Sequence, residues 1–146
     1  MTMSNAAEAA LLDLLFLNAA WANVGDASGL QPAAVPGNFY IALHTADPGE
    51  AGDQSTNEVS YTGYARVAVP RTAGGFSRSG DTISNVAAIT FGQCSAGSAV
   101  ATHGSIGLGS AGATAILWSG PLSVLLSIVS PIQPVIAAST LTIQVD

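Results

Sequence analysis

The hydrophobic pattern changes at Phe39, and this change constrains the fold most strongly. From Phe39 onward helical periodicity stops, and short runs rich in Val, Ile, Thr and aromatic residues alternate with Gly, Pro, Asn, Asp and Ser. We predict strands near Phe39–Thr45, Tyr64–Val69, Thr82–Ser84, Ala87–Phe91, Ala99–Ser105, Thr114–Ser119, Leu122–Val129 and Leu141–Val145. The chain is therefore predicted to be mainly β.

Eight strands in a chain of 146 residues predict a two-sheet antiparallel β-sandwich, jelly-roll-like in its order, with one N-terminal α-helix. Leu141, Ile143 and Val145 alternate along the last strand and would face inward. A chain of this length is the size of one domain, so 1–146 is expected to be a single domain. Residues 26–38 would form a linker, followed by the sandwich at 39–146.

The segment before Phe39 has the pattern of a helix over residues 5–22. Asn5 is the predicted N-cap, Glu8 stands three residues later as in a capping box, and Gly25 can end the helix. Its broad apolar face includes Leu11, Leu14, Leu15 and Asn18. The three leucines form a candidate docking helix for a neighbouring subunit, and the alternative is that the helix packs on the sheet of its own chain.

Charged residues make up 8% of the chain and hydrophobic residues 49%, whereas about 25% of residues are charged in an average soluble domain. Such a surface indicates repeated contacts with other subunits. The net charge is −6, and the three cations are Arg66, Arg71 and Arg78. Nucleic acids and anionic membranes are bound through a basic face, which this chain lacks. The charge balance therefore excludes a nucleic-acid partner and disfavours binding to an anionic membrane.

Cys94 is the single cysteine, which excludes an internal disulfide and predicts a reduced, semi-buried thiol. The apolar stretch Ala9–Val24 contains Asp13 and Asn18, which argues against a membrane span. No lysine or arginine precedes that stretch, and Glu8 lies where a signal peptide has its positively charged region. We therefore expect synthesis and assembly in a cytoplasm.

A long polar loop, Thr45–Ser60, follows the first strand, and long ordered loops are often binding loops. It partly matches a calcium loop, with Asp47 at the first position and Glu58 at the twelfth. Gly49 and Ala51 stand where oxygen ligands are needed, so we predict no metal site. The candidate partner-contact residues are Asp47, Glu50, Asp53, Glu58, Tyr61, Tyr64 and Arg66.

Arg66 lies inside the apolar run Tyr64–Val69, where a cation is costly unless it is paired. We predict that it pairs with a carboxylate of the loop between Asp47 and Glu58, in its own chain or in a symmetry mate. The bidentate geometry available to arginine would hold that loop for contact with partner subunits.

Two other patterns could carry chemistry, and each is better explained by structure. Gly107–Gly112 satisfies G-x-G-x-x-G but precedes a strand rather than a helix, which predicts a turn instead of a nucleotide site. His44 and His103 have no usable ligand spacing with Cys94, and no G-x-S-x-G elbow presents a serine. We expect structural histidines, no catalytic residue, no metal, no cofactor and no enzymatic activity.

Four segments carry a resemblance to a known family: Phe39–Val69, Leu11–Phe16, Ala101–Gly107 and Ile116–Leu122. Within the first, the stretch from Ala-Asp-Pro-Gly-Glu to Tyr-Ala-Arg-Val is specific. Together they resemble a family of small virion proteins of tailed bacteriophages and prophages, whose members are often labelled tail fibre proteins. The resemblance covers nearly the whole chain and implies a structural protein of the virion.

The sequence has neither an extended coiled coil nor a repetitive β-helix shaft, and its build is closer to that of the small capsid cement proteins of such phages. We therefore expect a capsid cement, or decoration, protein on the outside of the phage head. Its expected partners are the major capsid protein and itself, as a homodimer in preference to a trimer. The alternative is a tail fibre or tail-tip module that attaches to a host receptor through Tyr61 and Tyr64.

Overall fold

The fold comes from a computed structural model that describes residues 2–145. The chain divides into two compact units, and each is built from segments that are distant in sequence. The first unit combines the N-terminal segment through Asn38 with Pro70–Ala88 and the C-terminal segment from Ile136. The second unit combines Phe39–Val69 with Ile89–Val135. The single domain expected for 1–146 stays a prediction, and the two units are described in turn.

One helix and nine strands form within residues 2–145. They are α1 Asn5–Phe16, β1 Asn38–His44, β2 Val67–Pro70, β3 Phe76–Ser79, β4 Thr82–Asn85, β5 Ile89–Thr90, β6 Ser98–Gly107, β7 Ile116–Val129, β8 Val135–Ile136 and β9 Thr142–Gln144. The sheets have the strand orders β2-β1-β6-β7, β3-β4-β9 and β5-β8. Four pairings, β1 with β6, β6 with β7, β3 with β4 and β4 with β9, are antiparallel.

This architecture confirms the predicted fold class, a mainly β protein with antiparallel sheets and one N-terminal helix, consistent with a β-sandwich. Several boundaries differ from the prediction. The runs 114–119 and 122–129 join into the single strand β7, which continues through Pro121. Proline is tolerated there because β7 is an edge strand. The short strands β3 and β8 were not predicted, since neither shows apolar alternation.

In the first unit, α1 is shorter than predicted and has a different cap. Ser4, not Asn5, is the N-cap, and its side chain accepts a hydrogen bond from the amide of Ala7. The helix ends at Phe16 because Asn18 has a φ of 53°, which breaks the helical path. The Asn18 side chain then exchanges two hydrogen bonds of 2.9 Å with the backbone of Ala33. Asn18 therefore lies outside the helix and anchors the segment predicted as a linker.

The helix packs within the first unit through its fully buried Leu12 and Phe16. The Phe16 ring meets Phe76 of β3 edge-on, with 5.0 Å between centroids. Arg71 donates to the carbonyls of Leu14 and Leu15 at the C-terminal end of the helix. A cation there complements both the free carbonyls and the negative end of the helix dipole.

The second unit contains the four-stranded sheet, whose register follows from the pairing of β1 and β6. Tyr40 lies opposite Gly107, and His44 lies opposite His103. The pairing of β6 with β7 runs from Ser98 opposite Val129 to Gly107 opposite Ile116, with register shifts along the way. The buried residues of the second unit include Ile41, Leu43, Phe91, Ile106 and Ile128. Within residues 2–145, no helix is long and apolar enough to cross a bilayer.

Candidate functional site

Arg66 lies just before β2 in the second unit and is the centre of a buried polar network. Its side chain is 2% exposed and holds Glu58 through two parallel hydrogen bonds, Nε to Oε1 at 2.7 Å and Nη2 to Oε2 at 2.8 Å. These bonds raise the pKa of the Arg66 guanidinium. The predicted pairing of Arg66 with a carboxylate of the 47–58 loop is confirmed, and the partner lies in the same chain.

The other donors of Arg66 reach the turn between β6 and β7. Nη2 donates to the carbonyl of Gly112 at 2.8 Å, and Nη1 donates to the carbonyl of Gly109 and to Oγ1 of Thr114, each at 3.0 Å. All five N–H groups of the guanidinium therefore have acceptors. The segment Gly107–Gly112 runs from the end of β6 into this turn, as predicted, and the turn supplies the carbonyls that Arg66 requires.

Gln54 completes the network and was missed from the sequence. It is fully buried, its Nε2 donates to the carbonyl of Tyr40 at 2.9 Å, and its Oε1 accepts from Thr114 Oγ1 at 3.0 Å. A Cβ at Gly107 would collide with the Gln54 side chain, so glycine is required there. A glutamine in a polar loop carries no sequence signal of burial, because its partners are 12 or more residues away.

Tyr64 and Tyr61, expected as side chains that could face a ligand, are instead used inside the second unit. The Tyr64 hydroxyl donates to Oε1 of Glu58 at 2.9 Å and accepts from the amide of Leu43 at 3.1 Å. Burial raises the pKa of Tyr64. The hydroxyl of Tyr61 donates to the carbonyl of Gly92 at 2.9 Å, and the Tyr61 side chain is buried. Both hydroxyls are therefore bonded within the second unit, and ligand contact through these two side chains stays a prediction.

His44 is a structural histidine, as predicted. It is fully buried, with Nδ1 2.8 Å from the carbonyl oxygen of Thr56 and Nε2 2.7 Å from Oγ of Ser105. Burial lowers the pKa of His44, so the neutral ring is the stable form. The ring therefore joins the acidic loop to β6. His103 lies opposite it on β6 and is half-buried.

The remaining acidic side chains of the loop shape its turns. Oδ1 of Asp47 accepts from the amide of Gly49 at 2.9 Å. Asp53 accepts from both the amide and the hydroxyl of Ser55, and these bonds lower the pKa of Asp53. Within residues 2–145, no three His, Cys, Asp or Glu side chains are grouped as metal ligands.

The candidate partner-contact set is therefore divided by burial. Asp47 and Glu50 are exposed, and Asp53 is half-buried. Tyr61 and Arg66 are buried, and their side chains support the loop from inside the second unit. Contact of this set with a partner stays a prediction.

The candidate docking helix belongs to the first unit. Leu11, Leu14 and Leu15 are each half-buried, whereas Leu12 and Phe16 are fully buried. The structure therefore places the most buried face of the helix against its own unit, which was the alternative considered from the sequence. A second contact through the three leucines stays a prediction.

The chemistry of the Arg66 network is that of a structural clamp. Its charged and polar groups are bonded to one another, and within residues 2–145 no buried side-chain nitrogen or oxygen lacks a hydrogen-bond partner. Its effect is to hold the acidic loop, the first strand and the β6–β7 turn together.

Comparison with known proteins agrees with this structural character. No curated protein matches the chain. Residues 2–144 match the protein family described as Podophage GP4 fiber I protein gp80. That match covers nearly the whole chain and supports the resemblance to phage virion proteins noted from the sequence. The chain belongs to the Podophage GP4 fiber I protein gp80 family of phage fibre proteins.

Proposed function

We propose that the chain is a non-enzymatic structural subunit of the fibre apparatus of a podophage-type virion. The observation that carries the proposal is the family match over residues 2–144. The clamp around Arg66 supports it, because a loop held by a buried ion pair presents a fixed surface to neighbouring subunits. In this role the chain holds other virion components in place and converts no substrate.

The distribution of aromatic residues favours a supporting role over direct attachment to a host receptor. Surfaces that bind receptors and glycans are usually built around exposed aromatic rings, and aromatic side chains are enriched at recognition interfaces. All nine aromatic residues lie within residues 2–145, and each is buried or half-buried. The chain therefore suits a position within or at the base of a fibre better than a receptor-binding tip.

A capsid cement protein is the second candidate function, and the secondary structure favours it. A fibre shaft is an extended element, whereas α1 has 12 residues and the longest strand has 14. Neither a long coiled coil nor a β-helix is present in residues 2–145. A compact module that binds assembled capsomers better than free ones would stabilise the shell by mass action. Its partner would be the major capsid protein, on the outside of the phage head.

Copy number and location test the two candidates. Purified virions are separated into head and tail fractions, and the chain is quantified by mass spectrometry against the major capsid protein as internal standard. A few tens of copies or fewer in the tail fraction are expected of a fibre subunit. Hundreds of copies in the head fraction would refute the fibre proposal and support the function of a capsid cement protein. Absence from both fractions would refute a structural role in the virion.

A further inference from the structure

An exposed apolar face lies on the outer half of the β6–β7 hairpin in the second unit. Val129 lies opposite Ser98, and Val100 lies opposite Ser127. These four positions are exposed, whereas the alternating positions Ala99, Ala101, Leu126 and Ile128 are half-buried or buried. Because successive side chains of a strand point to opposite faces, one face covers the core and the other is open. Val100 and Val129 lie on the open face, and we call these two residues, together with the exposed Val124 and Leu125 of the adjoining bulge, the outer β7 face.

A bulge raises two residues of this face above the sheet. The pairing of β6 with β7 passes from Ala101 opposite Leu126 to His103 opposite Pro121. Four residues of β7, 122–125, therefore stand against one residue of β6. Val124 is 71% exposed and Leu125 is 63% exposed. Bulges commonly redirect side chains at a sheet edge, and here two adjacent large apolar side chains are both exposed.

Charge indicates what covers this face. Residues 82–145 contain no Asp, Glu, Lys or Arg, although the chain carries a net charge of −6. A second copy of the chain that met its own acidic surfaces would be repelled, whereas contact through the outer β7 face would bury no charge and oppose no like charges. A charged partner would find no countercharge on these strands. Two copies of the chain can therefore meet through this face without opposing like charges.

β7 is an edge strand of the four-stranded sheet. Pro121 and the bulge interrupt the free edge of β7, so a side-chain contact is favoured over open-ended sheet extension.

We propose that the outer β7 face is the surface through which two copies of this chain associate about a two-fold axis. In a two-fold contact the same patch serves both subunits, which requires a self-complementary surface. Val124 and Leu125 are the central contacts. The proposal is independent of whether the chain lies in a fibre or in the shell, because its test uses the purified chain alone.

The test compares two valines that are both exposed. Sedimentation equilibrium of the wild-type chain at about 100 μM, above the micromolar Kd common for modest interfaces, is expected to give twice the mass of one chain. Val124→Asp should raise the Kd of the dimer by about 100-fold, since it places two like charges at the contact. Val35→Asp is the matched control, because Val35 is 79% exposed and lies outside the face. It should leave the Kd unchanged.

Three results would overturn the proposal: a monomeric wild-type chain, an unchanged dimer Kd in Val124→Asp, or a rise in the dimer Kd in Val35→Asp as large as that in Val124→Asp. A trimeric mass would refute the two-fold arrangement. Far-UV circular dichroism of each variant checks that the fold is kept. If Val124→Asp misfolds, Leu125→Ser provides a milder substitution on the same face, and dimerisation as tight as in the wild type would count against the proposal.

Discussion

The two units each contain an arginine–carboxylate pair, and the pairs differ in their surroundings. In the second unit, the Arg66 and Glu58 side chains are 2% and 18% exposed. In the first unit, Arg78 joins Asp13, and both side chains are 28% exposed. Arg66 also bonds to two backbone carbonyls and a threonine hydroxyl, whereas Arg78 adds the carbonyl of Gly80. The Arg66–Glu58 pair is shielded from water, whereas the Arg78–Asp13 pair remains partly hydrated.

Because of this difference, the same pair of residue types is expected to contribute strongly to the folding stability of one region and weakly to that of the other. A buried charge has lost its hydration, so removing its partner leaves a charge that nothing compensates. A half-exposed charge whose partner is removed regains water instead, at little cost. The comparison therefore predicts a graded series of effects on the free energy of unfolding.

The largest effect is expected for Arg66→Ala. It leaves Glu58 without its cation and the carbonyls of Gly109 and Gly112 without donors, so the free energy of unfolding should fall by about 3–5 kcal/mol. Urea denaturation followed by circular dichroism measures the change. A loss below about 1 kcal/mol would show that water replaces the guanidinium and that the network is not a clamp.

A double-substitution cycle gives the control for that result. Glu58→Gln removes the carboxylate charge, and Arg66→Met removes the cation while keeping an apolar stem. The double variant should lose less stability than the two single losses together, because neither charge is left unpaired. Strict additivity would mean that Arg66 and Glu58 act independently despite their two short hydrogen bonds.

Arg66→Lys should have an intermediate effect, about 1–3 kcal/mol. Lysine keeps the charge, but it cannot reach Glu58 and the carbonyls of the turn together in the planar geometry that arginine uses. Because the Arg66 side chain is buried within its own chain, we expect the loss in folding stability rather than in assembly, measured by the urea midpoint of the purified chain.

His44 extends the comparison to a buried neutral group. Its pKa is lowered by burial, so the unfolded chain binds a proton first as the pH falls below about 6.5. Stability is therefore fully present above that pH and is lost on acidification, by at most about 1.4 kcal/mol per pH unit. Between pH 7 and pH 5.5 we therefore expect the free energy of unfolding to fall.

The matched variant His44→Asn cannot titrate, so its stability should change less over the same pH interval, although it should be lower at pH 7. Urea denaturation of both proteins at several pH values checks this difference. Equal pH dependence in the two proteins would assign the acid sensitivity to groups other than His44.

The smallest effect is expected for Arg78→Ala, below about 1 kcal/mol. Asp13 remains partly hydrated on α1 and can be solvated when Arg78 is removed. Thermal unfolding at low and high salt measures the change, and the wild-type pair should weaken as salt screens it. A loss as large as that in Arg66→Ala would remove the distinction between the two pairs.

Much of the second unit could be predicted from local pattern. The strand at Phe39–Thr45, the turn at Gly107–Gly112 and the pairing of Arg66 follow from alternation, glycine content and the cost of an unpaired cation. The choice of Glu58 over the three other acids of the loop could not be predicted. It depends on how the loop folds back, and Gln54 fixes that path through partners in β1 and in the β6–β7 turn.

The sequence by itself determined the mainly β class, the N-terminal helix and the resemblance to phage virion proteins, because these depend on the periodicity and identity of neighbouring residues. Tertiary structure alone decided where α1 ends, since the bonds of Asn18 to Ala33 close 15 residues away. It also decided that Tyr61 and Tyr64 turn inward, and that Val124 and Leu125 stand outward on a bulge. Burial and register arise from contacts between distant segments, and local sequence carries little information about them.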